Sequence, residues 1–340
     1  MQDPSHAEGD KGCFLLVTRY YLRRRYKMTA LIKKVERKSP RLLTFLRTDA
    51  LLILVTIIWG STFLVVQETV KLVGPFTFLA LRFGIATLTL AIIFHKRLLR
   101  IRRKEVITGT IIGLFLFIGY VLQTEALQNT ASSKVGFITA LYVPIVPVLA
   151  VLMLRQWPTF GAIIGVILSF AGLILLTVNE QFNLALGLGE LLAIGSALAF
   201  AMHIVTIGKF APGADAINLA IVQISVTAVL SMLMIPAMGE PFVMPELAVW
   251  GSALFMGVVA TAFALAVMNK VQQSMGSTRA TLIYALEPVW AGLFGFYFAG
   301  ETLTIAAGVG AVLIVLGMLA GEFRWSVVGK SNEYLVTSNE

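Results

Sequence analysis

Five side chains within long apolar runs could do chemistry that hydrocarbon tolerates poorly: Glu287, His203, Trp59, Tyr142 and Tyr284. A carboxyl group well inside a membrane helix is costly, so its presence needs a reason. Glu287 precedes Pro288, which donates no backbone hydrogen bond and disfavours helix at the residue before it. A helix broken there frees carbonyls beside the carboxyl and makes a polar site facing a cavity. Glu287 would bind a substrate or carry a coupling proton; the plainer alternative is a structural Glu bonded to a neighbouring helix. His203 is the one histidine inside a span, with the same two readings: ligand or proton acceptor, against packing partner. Trp59, Tyr142 and Tyr284 bring aromatic faces with a polar handle, suited to aromatic or cationic ligands, although aromatic residues in spans mostly pack. Pro144 and Pro147 mirror Pro288 and read as hinges. Asn269 and Gln123 fall near span ends, where interfacial solvation accounts for them. Arg82 is close enough to the outer end of its span to snorkel.

No catalytic or cofactor motif accompanies these residues. The single cysteine, Cys13, excludes an intramolecular disulfide and a Cys/His metal cluster. The three histidines are far apart and match no ligand spacing, and there is no GxGxxG after a strand, phosphate-binding loop or HExxH. No metal, cofactor or nucleotide energy source is expected. An intramembrane lipid-modifying enzyme would need a catalytic cluster near one interface, and Glu287, His203 and Glu68 offer none.

The elements that position these residues follow from composition. Apolar residues make up 58% of the 340, charged residues 13%, and the mean hydropathy is +0.86; soluble domains run near about 45–50% and about 25%. The charges also crowd into residues 1–48. Ten runs approach the roughly 20 residues that a bilayer-spanning helix needs: 50–69, 75–94, 106–124, 134–154, 161–178, 188–208, 216–236, 248–268, 279–299 and 303–321. If the N-terminus is cytoplasmic, 24 of the 27 Lys and Arg lie on the inner side, leaving only Lys71 and Lys134 outside and Arg82 within a span. Both termini are therefore expected in the cytoplasm. The basic segment 1–48 reads as a topology determinant beside anionic lipid, not a nucleic-acid patch. Met28 is a candidate natural start, which would make 1–27 a disordered or mis-annotated extension. The C-terminal tail is 322–340.

The chain also repeats itself. Ser133 through Pro144 aligns with Ser277 through Pro288 at an offset of 144, drifting to 145 where Gly165 and Gly172 match Gly310 and Gly317. Halves of five spans, 49–178 and 187–321, must enter the membrane from opposite sides, an inverted repeat. Charge agrees: the loop after span 2 has six basic residues, while its counterpart after span 7 has Glu240 and Glu246. Gly161xxxGly165 and Gly317xxxGly321 allow close helix approach, either within the chain or in a homodimer seam.

Asp49 to Phe63, Gly74-Pro75 with Leu81-Arg82-Phe83, Gln128 to Pro144, Leu286-Glu287-Pro288 and Gly300-Glu301-Thr302-Leu303-Thr304 resemble the two repeats of the EamA-like family of the drug/metabolite transporter superfamily. The resemblance covers about residues 50–321. It departs at Gln156, where the first repeat often carries a Glu like Glu301, and in the lack of a Trp partner for Trp59 in span 6. It implies an all-α integral membrane fold of ten helices in two inverted five-helix repeats, with a central cavity lined mainly by spans 1, 3, 4, 6, 8 and 9. The expected function is secondary transport, in the exporting direction, of small metabolites such as amino acids or drugs by alternating access. The membrane is then a bacterial inner (cytoplasmic) membrane, with lipid, a small-molecule substrate and a coupling proton as partners. A passive facilitator or channel is the alternative.

Overall fold

A computed structural model describes residues 48–130, 132–177, 187–241, 245–300 and 304–322. The basic segment before residue 48 with Met28, the loop 178–186, Glu301 and the tail beyond 322 lie outside the described residues. Two compact units divide the chain at Ala50, and of the first only residues 48–50 are described.

Among the described residues every regular element is helical: α1 (Thr48–Thr69), α2 (Pro75–Ile93), α3 (His95–Leu98), α4 (Arg103–Asn129), α5 (Ser132–Thr139), α6 (Tyr142–Leu154), α7 (Phe160–Thr177), α8 (Leu188–Phe210), α9 (Ala216–Ala237), α10 (Leu247–Phe255), α11 (Ala264–Gln272), α12 (Ser277–Tyr284), α13 (Glu287–Ala299) and α14 (Ile305–Glu322). A π-helical stretch, Met256–Phe263, joins α10 to α11. Among the described residues, eight runs are long and apolar enough to cross a membrane, α5–α6, α10–α11 and α12–α13 each counting as one. α7 and α14 are shorter apolar helices. Exposed residues such as Ile92, Leu152, Phe298 and Ile305 cover the outside, far more apolar surface than water accepts on a monomer.

Lipid tails are as apolar as leucine, so helix association rests on close approach and hydrogen bonds. The α7–α14 pair uses approach. A Cβ built on Gly165 would lie 2.6 Å from the Gly317 carbonyl oxygen, and one on Gly172 would lie 2.5 Å from that of Gly310. The glycine stripe is thus consumed inside the chain, which removes the reason it gave for a homodimer seam. Elsewhere α4 packs on α8 and α9, and α2 on α9 and the π-helical stretch.

Carboxylates tie the ends together. Glu240, after α9, accepts from the backbone N–H groups of Phe76 and Thr77 and the Thr77 hydroxyl, each at 2.8 Å. It thereby caps α2, whose first free N–H groups favour an anion. At the other end of α9, Glu105 accepts from the Asp215 N–H at 3.0 Å and Asn218 Nδ2 at 2.8 Å. Asp215 caps α9 through Ile217 and Asn218 and pairs with Arg97 at 2.6 Å.

The helix bounds recur at an offset of 145: Ser132 with Ser277, Tyr142 with Glu287, Phe160 with Ile305. This corrects the 144 suggested by the paired prolines, since Tyr142 now matches Glu287 and Val143 matches Pro288. α6 and α13 both end in a left-handed residue, Arg155 at φ 55° and Gly300 at φ 68°. A side chain there is strained by about 1 kcal/mol or more. Arg155→Gly is therefore expected to raise stability by about 0.5–1 kcal/mol, read as a higher unfolding midpoint in detergent; a lower midpoint would show that the Arg side chain outweighs the strain.

Candidate functional site

The site is built where two helices break. The run from Ser132 turns through Ala140-Leu141 and restarts at Tyr142; the run from Ser277 turns through Ala285-Leu286 and restarts at Glu287. Leu141 and Leu286 have shallow ψ angles of −14° and −19°. Pro144 and Pro288 sit in the first turns that follow, where a missing N–H costs nothing because it has no intrahelical acceptor. Pro147 lies inside α6. Each break turns the last residue of one helix and the first of the next toward one cavity: Thr139 with Tyr142, and Tyr284 with Glu287.

The two breaks touch. The Tyr142 hydroxyl lies 3.2 Å from both Glu287 Oε2 and the carbonyl of Tyr284, which share its one proton. Trp59 packs its ring 5.8 Å from that of Tyr284 and donates Nε1 to the Ala260 carbonyl at 2.9 Å. That carbonyl lies in the π-helical stretch, where irregular bonding leaves acceptors for side chains. Gly60 allows α1 this close, because a Cβ there would lie 2.9 Å from the Glu287 carbonyl oxygen. His203, 1% exposed, meets Gln223 Oε1 through Nε2 at 2.7 Å. All five candidate residues therefore line one cavity, of about 50 Å³. Metabolite sites run to about 300–1,000 Å³, so the walls must part to admit a solute.

Some of the lining polar groups have no partner. The buried hydroxyls of Thr139 and Tyr284 make no hydrogen bond among the described residues. These two positions are equivalents at the 145 offset, so each break contributes one orphaned hydroxyl. Tyr142→Phe would remove the bond to Glu287 but not the ring, and is expected to cost about 1–2 kcal/mol of stability. A double-mutant cycle with Glu287→Gln checks this, and strict additivity would show that the pair is not coupled.

Two sequence readings are overturned. Arg82 does not snorkel: it is 2% exposed, with Nε donating to Thr261 Oγ1 at 2.8 Å and Nη2 to the Tyr120 hydroxyl at 3.2 Å. Its Cζ stands 4.5 Å from the centre of the Tyr120 ring. It starts about 10 Å along α2, and the helices on either side close over it, which a linear sequence does not show. Asn269 is fully buried, not interfacial, and bonds the Leu265 carbonyl at 2.8 Å. Gln123 lines the cavity. Reasoning from sequence also passed over Tyr120, Thr139, Thr261 and Gln223. Arg82 had a usable signal, since the rule that singled out Glu287 applies to any charge within a span.

Membrane-length apolar helices around a small polar cavity define a multi-pass membrane protein. The family model of the EamA-like transporter family matches residues 46–178 and 187–320, and the chain belongs to that family, as its sequence motifs suggested. It is 31% identical over 279 residues to an uncharacterized transporter of Archaeoglobus fulgidus, covering 82% of this chain and 87% of that one. It is 25% identical to the uncharacterized transporter YoaV of Bacillus subtilis, covering 81% and 96%. A crystal structure described only as that of a protein shares the fold, with a TM-score of 0.66 at 20% identity over 81% of this chain and 97% of the other.

Proposed function

We infer that this transporter is a secondary carrier of small organic metabolites that works by alternating access across the cytoplasmic membrane, in the exporting direction. The observation that carries the reading is the meeting of two broken helices at Tyr142 and Glu287. Discontinuous helices that converge near mid-membrane are how many secondary transporters build a solute site. The reading assigns ten spans, with α7 and α14 as the fifth and tenth, and both termini in the cytoplasm. It treats 49–178 and 187–321 as inverted repeats, supported by the shared helix bounds at offset 145. Glu287, His203, Trp59, Tyr142 and Tyr284 form the site, and the breaks before Pro144 and Pro288, with Pro147, serve as hinges. Glu287 is the group that would take up a coupling proton.

The test uses proteoliposomes and a panel of amino acids, polyamines, nucleosides and quaternary ammonium compounds. A solute that raises the unfolding midpoint of the purified protein is then followed by counterflow. A carrier is expected to show saturable uptake driven by the same unlabelled solute inside. Glu287→Gln is expected to reduce it about tenfold or more, the equivalent of one charge-assisted hydrogen bond. Flux with no such exchange would favour the passive facilitator, and unchanged exchange in the variant would remove Glu287 from the site.

A further inference from the structure

A guanidinium taken out of water with no direct ion pair is among the costliest things a membrane protein can hold. Arg82 is such a group. Among the described residues, no carboxylate stands within ion-pair distance of it. The bonds to Thr261 and Tyr120 use Nε and one hydrogen of Nη2. The fork has more donors than that, and Nη1 has no protein partner among the described residues. Arg82 nevertheless lines the same cavity as Glu287 and the orphaned hydroxyls of Thr139 and Tyr284.

The surroundings hold the guanidinium in one place without neutralising it. Thr261 is fully buried in the π-helical stretch. Tyr120 is fixed on both sides, its ring 5.0 Å from Phe83 and 5.1 Å from Phe200, edge-on to each. Its face then lies under the guanidinium, which attracts the cation but carries no charge of its own. A rigid fork with spare donors, facing a cavity, matches the planar geometry of a carboxylate.

The geometry points to Arg82 as the anchor for a carboxylate on the transported solute. The inference rests on this cavity being the transport site and narrows the substrate to organic acids, with or without an amino group. Amines and quaternary ammonium compounds, which the aromatic walls alone would suit, lack the group that Arg82 requires. A phosphate dianion is a poorer match, because one Arg in a cavity that also holds the Glu287 carboxyl leaves its second charge unpaired.

The experiment compares each acid with its own primary amide. The probes are aliphatic and aromatic carboxylates of graded size, with and without an α-amino group, added at millimolar concentration to the purified full chain. The readout is the unfolding midpoint of the wild type. The expected result is that at least one acid raises the midpoint and its amide does not, with an apparent Kd at least about tenfold apart. This comparison needs no variant and so does not depend on one folding. Arg82→Gln is expected to abolish the difference. Arg82→Lys, which keeps the charge but not the fork, is expected to weaken binding of the acid about tenfold or more.

Equal stabilisation by acid and amide overturns the proposal, and so does a panel in which no acid stabilises the wild type. If amides or amines bind instead and Glu287→Gln abolishes their effect, the carboxylate assignment falls while the cavity remains the transport site. If nothing in either panel binds and exchange survives Glu287→Gln, both readings fall together.

Discussion

Leucine at Gly317 is expected to cost about 3 kcal/mol of stability, the upper part of the range for overpacking a tight interface. A Cβ there would lie 2.7 Å from the Gly165 carbonyl oxygen and 2.9 Å from the Ser169 backbone nitrogen. Backbone atoms cannot rotate away as a side chain could, so α7 and α14 must separate along their length. Because lipid supplies no hydrophobic drive to bring them back, the lost contacts are not recovered elsewhere. Gly308 is the control. It lies on the same helix, but nothing stands within 4 Å of where its Cβ would be. Gly308→Leu is expected to be neutral or to stabilise by up to about 1 kcal/mol through helix propensity. Unfolding midpoints in detergent check both, and similar losses for the two variants would mean that the α7–α14 contact is not what holds these helices.

How much of this was legible follows from what hydrophobicity encodes. Helices and their approximate bounds were readable because a span must satisfy every backbone group internally and meet lipid with apolar side chains. The break at Glu287 was readable from Pro288, and the close packing of α7 from its glycines, although not that its partner would be α14. Rotation about each helix axis was not readable. In a soluble helix the polar face marks the outside, but here Leu79 is buried and Leu88 exposed on the same helix, and both are leucine. Arg82 therefore looked like an interfacial residue until α4 and the π-helical stretch were in place around it. The π-helical geometry itself leaves no mark in Met256–Phe263, because it is supported by partners distant in sequence: Trp59 on Ala260 and Arg82 on Thr261. The one-residue shift of the repeat was hidden for a related reason. Prolines in both halves invited alignment with each other, while the helix breaks, which carry the shared geometry, fall on the unremarkable pairs Ala140-Leu141 and Ala285-Leu286.

Removing the Glu240 carboxylate is expected to open the cavity on one side only. Glu240 belongs to the second half of the chain and caps α2 of the first, through three bonds of 2.8 Å. Glu105 belongs to the first half and holds the start of α9 in the second, through Asp215 and Asn218. The two carboxylates thus join the halves at opposite ends of α9, and both joins are closed in this structure. In an alternating-access cycle only one end opens at a time, so each carboxylate would stabilise closure of its own end. Hydrogen bonds to a charged group contribute about 1.5–3 kcal/mol, which shifts an open–closed equilibrium about tenfold or more. In a Cys13→Ser background, Thr62→Cys places a thiol in the cavity lining. With Glu240→Ala added, a membrane-impermeant thiol reagent is expected to label it about tenfold faster from the Glu240 side and no faster from the other. Glu105→Ala should reverse the sides. Faster labelling from both sides in either variant would show general loosening, and the two carboxylates would then be ordinary caps, not gates. No change in either would mean that closure is held by packing near Trp59 and Trp290, where Gly60 admits no side chain, and that the motion turns on the helix breaks alone.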